Sequence, residues 1–338
     1  MTHSFLLASG ILLPSLLMGT DVTVAQSTHY YAFSAKPAPV QRVHAGDIIR
    51  TTTLDAAGGD EKGVIADPKG IGNPLSGPFY LEGAEPGDAL VLHITKLRMN
   101  RNWGWTGFRL GPWALPPGQT ANMPAVHYKA DLVHKGDDRQ VPWDLDLKNN
   151  VVRLREPVSP RIKLEFPARP MLGCIGVAAP GTASPDSSQS GSYGGNMDYN
   201  EAGEGATVIL PVYHPGALLY LGDGHALQAD GEPTGQGIET SFDVEFTLDL
   251  VKHAGLTGPR VETADEIISV GSQQEFASPL NHALELATAD MLQWLVAGYG
   301  LEPWAAHVLV TTQARYQVVT VAGSMALRIP KRYLPAKR

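Results

Sequence analysis

Two short turn sequences constrain what this chain can become. Ala45-Gly-Asp47 precedes IIRTTTLDA, and Glu85-Pro-Gly-Asp88 precedes ALVLHITKLRM. In each, Gly and Asp supply a tight turn and a strand of β-branched or alternating residues leaves it. Within Ala89 to Leu97, alternation puts Leu90, Leu92, Ile94 and Lys96 on one face and Val91, His93 and Thr95 on the other. Further strands are predicted at Met171–Val177, Thr207–Val212, from Leu218 to Leu221, and at Thr240–Val251. With 36 Gly and 26 Pro in 338 residues, the chain turns often enough for many short strands. The region from His29 to about Phe166 therefore reads as a β-sandwich or a barrel-like domain.

The end of the chain differs. Over Pro279 to Tyr299, Leu284, Ala287, Met291, Leu292, Leu295 and Val296 recur at helical spacing, and Gly298 and Gly300 close the segment. A second helix is expected to start after Leu301-Glu-Pro303, followed by a strand at Tyr316–Ala322. The expected fold class is mainly β (α+β), with a smaller C-terminal α/β element.

Phe5 to Gly19 is an apolar run of signal-peptide length, followed by a small-residue site at Val24-Ala25. The run is short for a membrane span of ~20 residues. Residues 1–25 are thus expected to be a signal peptide, and the protein to be secreted or periplasmic. No later segment is long and apolar enough to span. Net charge is −8 with no Lys/Arg stripe, so nucleic acid is not an expected partner. Cys174 is the single cysteine, which rules out an internal disulfide. It lies in an apolar, strand-like stretch and is expected to be buried and inert.

Chemistry-bearing residues concentrate in two places. Gly222 to Glu232 carries Asp223, His225, Gln228, Asp230 and Glu232. If the strand from Leu218 continues, Asp223 and His225 point to one side, as two ligands or as a base with its orienting partner. Gly222 and Gly224 would let a substrate approach the backbone. The alternative is a solvated loop. The second place is Ser192-Tyr-Gly-Gly-Asn-Met-Asp198, where Gly194 and Gly195 could expose amides to an oxyanion. Here the alternative is an Asx-type turn. Glu82, Asp55 and Glu239 each follow or begin a strand, where an ordinary turn or surface carboxylate is an equal reading. The aromatic stretch Trp103 to Pro117 reads as a loop, either a pocket wall or packing on the sandwich. No nucleophile elbow and no phosphate-binding glycine loop is present.

The stretches NPLSGPFYLEGAEPGDAL (from Asn73), GGNMDYNEAGEGATVILPVYHPGALLYLGDGHALQADGE (from Gly194) and GQGIET (from Gly235) closely resemble the acetamidase/formamidase family. The resemblance covers about His29 to Leu250, with the C-terminal part matching more loosely. It implies a jelly-roll-like β-sandwich with a smaller α/β part, and hydrolysis of short amides such as formamide and acetamide. It also implies a divalent metal, zinc by expectation, in at least some members. The family's pattern falls on Gly195, Asn196, Asp198, Asp223, His225, Gln228, Asp230 and Glu232. Ala229 departs from it, standing where the family usually has Gly.

On this reading the core spans residues 26–250 and residues 251–338 pack on it. Asp55, Asp198 and His225 are the expected metal ligands. Glu82 or Glu232 would carry the proton, with Asp223 as a further catalytic residue. Asn196 and the Gly194-Gly195 backbone would bind the carbonyl oxygen, and Gln228 would line the substrate site. The expected partners are a small amide substrate and, as the assembly, a homo-oligomer. Two rivals are an exported ligand-binding module, which needs aromatic platforms but no carboxylate–His cluster, and a hydrolase of another small amide or lactam.

Overall fold

The computed structural model describes residues 19–66, 72–108, 110–111, 113–116, 119, 140–156, 161 and 163–336. Most of the expected leader, residues 1–18, lies outside the described residues. Nineteen described strands, β1 to β19 in chain order, form three sheets, and two helices follow near the end.

The largest sheet has nine strands. In spatial order they are Asp21–Thr23 (β1), Ile48–Thr53 (β3), Phe242–Val251 (β15), Ala89–Met99 (β5), Thr207–Pro211 (β13), Arg260–Glu262 (β16), Glu266–Ser272 (β17), Ser324–Pro330 (β19) and Arg315–Thr320 (β18). The second has six: Ser190–Gly191 (β11), Gly194–Asn196 (β12), Met171–Gly176 (β10), Leu219–His225 (β14), Leu75–Leu81 (β4) and Gln41–Val43 (β2). These two sheets pack face to face, and their inner faces share one core. Ile49, Leu92 and Phe246 come from the first, Phe79, Ile175 and Leu221 from the second, all fully buried. Phe79 meets Phe246 edge-on across the gap, ring centres 5.4 Å apart. This is the jelly-roll-like sandwich that the resemblance implied.

A smaller sheet of Trp103–Gly107 (β6), Gln140–Asp146 (β7), Val151–Leu154 (β8) and Glu165–Pro167 (β9) joins at one side. The aromatic stretch expected to be a loop from Trp103 therefore begins as a strand, with Gly104 paired to Trp143. Leu280–Tyr299 (α1) and Pro303–Gln313 (α2) cover the far end of the nine-stranded sheet. Met291, Trp294 and Leu295 of α1 pack there on Ile267, Leu327 and Ile329. Gly300 closes α1 in the left-handed conformation at φ 69°, and Pro303 opens α2. The predicted stripe is rotated: Ala283 and Trp294 are buried, while Leu284, Leu292 and Val296 are half-buried.

One sequence expectation fails for a local reason. Lys96 does not share the buried face of Leu90, Leu92 and Ile94. The register against β15 shifts between Glu245 and Phe246, and beyond that bulge Leu97 and Met99 turn inward while Lys96 is exposed. The described end of the N-terminal stretch takes part in the nine-stranded sheet. Thr20 donates to Asp47, and Asp21–Thr23 pairs in parallel with Ile48–Arg50, so part of the stretch expected to be leader forms an edge strand. At the other expected boundary, the nine-stranded sheet runs unbroken from β15 and β5 through β13 into β16 and β17.

Candidate functional site

β10 is sandwiched between β12 and β14, and this places the two sequence clusters side by side. Cys174 stands opposite Asn196 on one flank and Gly222 on the other. Asp223 and His225 emerge on one side of β14, and Asp198 follows two residues after the end of β12. The Asp198 amide donates to Gly173 O, which seats that carboxylate over β10. Gly173 leaves the room it needs. A Cβ there would stand 2.3 Å from Asp198 Oδ1 and 2.7 Å from Asp223 Oδ2. The two acids thus converge over a bare patch of backbone.

Glu239 completes the nest at the seam between the six- and four-stranded sheets. It bridges His225 of β14 and Trp105 of β6. His225 Nε2 lies 3.0 Å from Glu239 Oε1 and 3.5 Å from Asp223 Oδ1. Glu232 joins from the loop after β14. Ligand atoms of Asp198, Asp223 and His225 form one group within 4.8 Å of one another, and those of His225, Glu232 and Glu239 form another. All five residues are buried. Asp198, Asp223 and Glu232 have φ of 49°, 55° and 42°. Left-handed backbone at three acids of one cluster is strain held by the surroundings, a pattern that concentrates at functional sites.

The imidazole is fixed by Gln228. Gln228 Nε2 donates to Asp198 O at 2.6 Å, which leaves its Oε1 to accept from His225 Nδ1 at 2.7 Å. With the proton on Nδ1, the Nε2 lone pair of a neutral ring faces the acids. Asn196 holds the other side. Its Nδ2 donates to Asp198 Oδ2, and its Oδ1 accepts from Asn73 Nδ2, which also donates to Asp223 Oδ2. Cys174 Sγ–H donates to the same Asn196 Oδ1. The thiol is buried, and burial first, then Asp223 and Asp198, push its pKa well up, so it is inert as expected.

So many acids around one imidazole cannot all be ionised in a dry site. Burial, with Glu232 and Asp223 nearby, raises Asp198 well above the usual carboxylate range. Burial raises Glu232 to about 8 against the pull of His225, and Glu239 to about 7. Burial alone would lower His225, but Glu239 and Asp223 raise it well above the usual imidazole value. Asp198 Oδ1, His225 Nε2 and Glu239 Oε2 are buried with no hydrogen-bond partner among the described residues. Two groups of three ligand atoms, each within 4.8 Å of one another and sharing one imidazole, fit a cation. The mixed N/O set suits zinc or another hard-to-borderline divalent ion, and the amide behind the imidazole is the usual device for orienting a histidine ligand.

The site proposed from sequence changes in several places. Asp198, Asp223, His225, Gln228 and Glu232 come together. Asp55 does not serve as a ligand here: Arg101 and Trp105 donate to its Oδ2, and the amides of Ala57 and Gly59 to its Oδ1. Its four lone-pair positions are taken one layer behind Glu239. Glu82 is elsewhere. Leu75 at the start of β4 pairs with Gly222, whereas Glu82 follows Leu81 at the other end, about 20 Å along the strand. There it forms a surface ion pair with Arg42.

Gly194 and Gly195 lie within a ladder, between β11 and β10. Side chains there would strike Ile175 O and Gln189 O, so packing accounts for both glycines. Asn196 positions Asp198 and is not a free carbonyl binder. Gly222 and Gly224 likewise serve packing, since Cβ atoms would meet Pro74 O and the Phe242 ring. Asp230 faces away, accepting from Asn200 and Gln317.

Two members were not nominated from sequence. Asn73 stands near the start of β4, inside a stretch that carried the resemblance. Glu275 follows β17; it bonds Asn196, and burial with Asp223 nearby raises it to about 7. No sequence signal marks Glu275, because it comes from the C-terminal part of the sheet.

Comparison with known proteins bears on the same residues. Residues 164–300, which contain the acids of the nest, match the model of the acetamidase/formamidase family. The acetamidase of Yersinia enterocolitica shares 27% identity and superposes with a TM-score of 0.76, covering 93% of each chain. A putative formamidase of Schizosaccharomyces pombe is 27% identical over 254 residues, 63% of this chain and 62% of its own length. The formamidase of Methylophilus methylotrophus is 25% identical, over 63% of this chain and 61% of its own. The chain thus spans about three-fifths of the length of these two relatives. The acetamidase/formamidase match includes β10, β12 and β14, the three strands that build the nest.

Proposed function

We propose that this protein hydrolyses the C–N bond of small linear amides such as formamide and acetamide, releasing ammonia, with a divalent cation held in the nest. The observation that carries the reading is the buried nest around His225, whose ligand atoms group with those of Asp198 and Asp223 on one side and of Glu232 and Glu239 on the other, inside a segment matching the acetamidase/formamidase family. A divalent cation there, zinc as first candidate, supplies Lewis-acid polarisation of a carbonyl and eases deprotonation of water near neutral pH. His225 with Asp198 and Asp223, or with Glu232 and Glu239, would hold it.

The chain's own groups supply the rest. An amide resists attack because its nitrogen lone pair stabilises the carbonyl and the amine leaves poorly, so a proton must reach nitrogen. Where Asp198 and Asp223 hold the cation with His225, Glu232 and Glu239 stay free beside the ring to accept and return that proton. Gln228 holds the imidazole and Asn196 holds Asp198.

The test is ammonia release from formamide and acetamide by the purified protein, with metal analysis of the same preparation. Turnover that falls on chelation and returns with zinc is expected. Full turnover after exhaustive metal removal overturns the metal part, and no turnover of any short amide overturns the hydrolase reading. Export belongs to the same proposal. N-terminal sequencing of secreted protein tests it, and retention of β1 is expected, with cleavage before Thr20.

A further inference from the structure

The acids of the nest are buried, except Glu275, which is only partly so. The cluster therefore meets solvent on the Glu275 side. Phe276 follows it directly, and its ring stacks on Trp113 with centres 3.7 Å apart and planes 19° from parallel. The chain that carries Trp113 is anchored beside Glu232, where the Gly111 amide donates to the carbonyl oxygen of Pro233, the next residue. The stacked pair thus ties the Glu232 side of the mouth to the Glu275 side.

Neither ring belongs to the core. Trp113 is 53% exposed and Phe276 51%. Phe276 has φ 59°, with its amide pinned to Ala322 O. Left-handed backbone favours Gly or Asn and penalises a bulky side chain. A turn needed only for its shape would carry one of those. The ring is kept against the local preference, and the place it occupies is the rim of the acidic nest.

We propose that Trp113 and Phe276 form an aromatic clasp across the mouth of the nest that limits the acyl group of an entering amide to a few carbons. This rests on the amide-hydrolase reading above. The clasp sets specificity and takes no part in the chemical step, so its loss widens the substrate range and leaves the acids in place.

Wild type, Phe276→Gly and Trp113→Ala are compared on acetamide and benzamide, with binding of both amides followed separately by saturation-transfer NMR. The ratio of kcat/KM for benzamide over acetamide is expected to rise at least tenfold in each variant, the scale on which a pocket discriminates by size. The melting temperature of Phe276→Gly is expected to stay or rise, because Gly accepts the backbone angle. A benzamide signal is expected in both variants and not in wild type. A lowered melting temperature with both ratio and binding unchanged would assign the pair a packing role and overturn the clasp. If wild type turns over no amide but the benzamide signal still appears on removal of either ring, the clasp stands and the hydrolase reading falls.

Discussion

Gln228 donates to the carbonyl of Asp198 and accepts from Nδ1 of His225, so one amide fixes both the tautomer of the ring and the position of the acid's backbone. Its orientation is not free to reverse, because a carbonyl can only accept. In Gln228→Leu the ring loses its partner while the side-chain volume is nearly kept. Divalent-cation affinity is expected to fall about 10–100-fold, the usual effect of removing the group behind a histidine ligand. Titration of the metal-free protein with zinc measures it, and unchanged affinity would remove Gln228 from the site.

Gly173→Ala is the smallest change that strikes the nest. Its methyl would stand within 2.3 Å of Asp198 Oδ1 and 2.7 Å of Asp223 Oδ2, and one carboxylate must move. A displacement of about 1 Å at a reacting group costs on the order of 10² in rate. Amide turnover is expected to drop by that factor while the far-UV circular dichroism stays as in wild type.

Asp55 and Glu82 separate structure from catalysis. Asp55→Asn leaves Arg101 buried beside a neutral partner, and loss of about 3–5 kcal/mol of stability is expected on denaturant unfolding. Glu82→Gln breaks a surface pair with Arg42. Both stability and turnover are expected to remain within twofold of wild type, and a large loss of turnover would restore Glu82 to the mechanism.

Asp88 predicts an acid limb. Burial pushes its pKa up, but the Lys252 ammonium and the amides of His253 and Glu85 outweigh this and bring it down to about 2. A carboxyl group held below its unfolded value of about 3.9 stabilises the fold at pH above that value. That contribution is lost as pH falls from about 4 towards 2. Asp88→Asn is expected to cost about 1.5–3 kcal/mol at neutral pH and to flatten the loss between pH 4 and 2, as read from melting curves across that range.

Local patterns were enough to predict β3, β5, β10, β13, β14, β15 and β18, the C-terminal helices and the placing of Asp223 with His225 on one side of β14, because alternation and helical spacing report on immediate neighbours. They were also enough to mark Asp198, Gln228 and Glu232, which sit in the same compact loops. Tertiary structure alone decided which strand ends meet. β10 carries Gly173 between Asp198 and Asp223, and the seam with the four-stranded sheet brings in Glu239. The far end of the nine-stranded sheet delivers Glu275, and the direction of β4 carries Glu82 away. A carboxylate at a strand tip looks the same in sequence at either end of a sheet, and only the register of pairing says which end faces the nest.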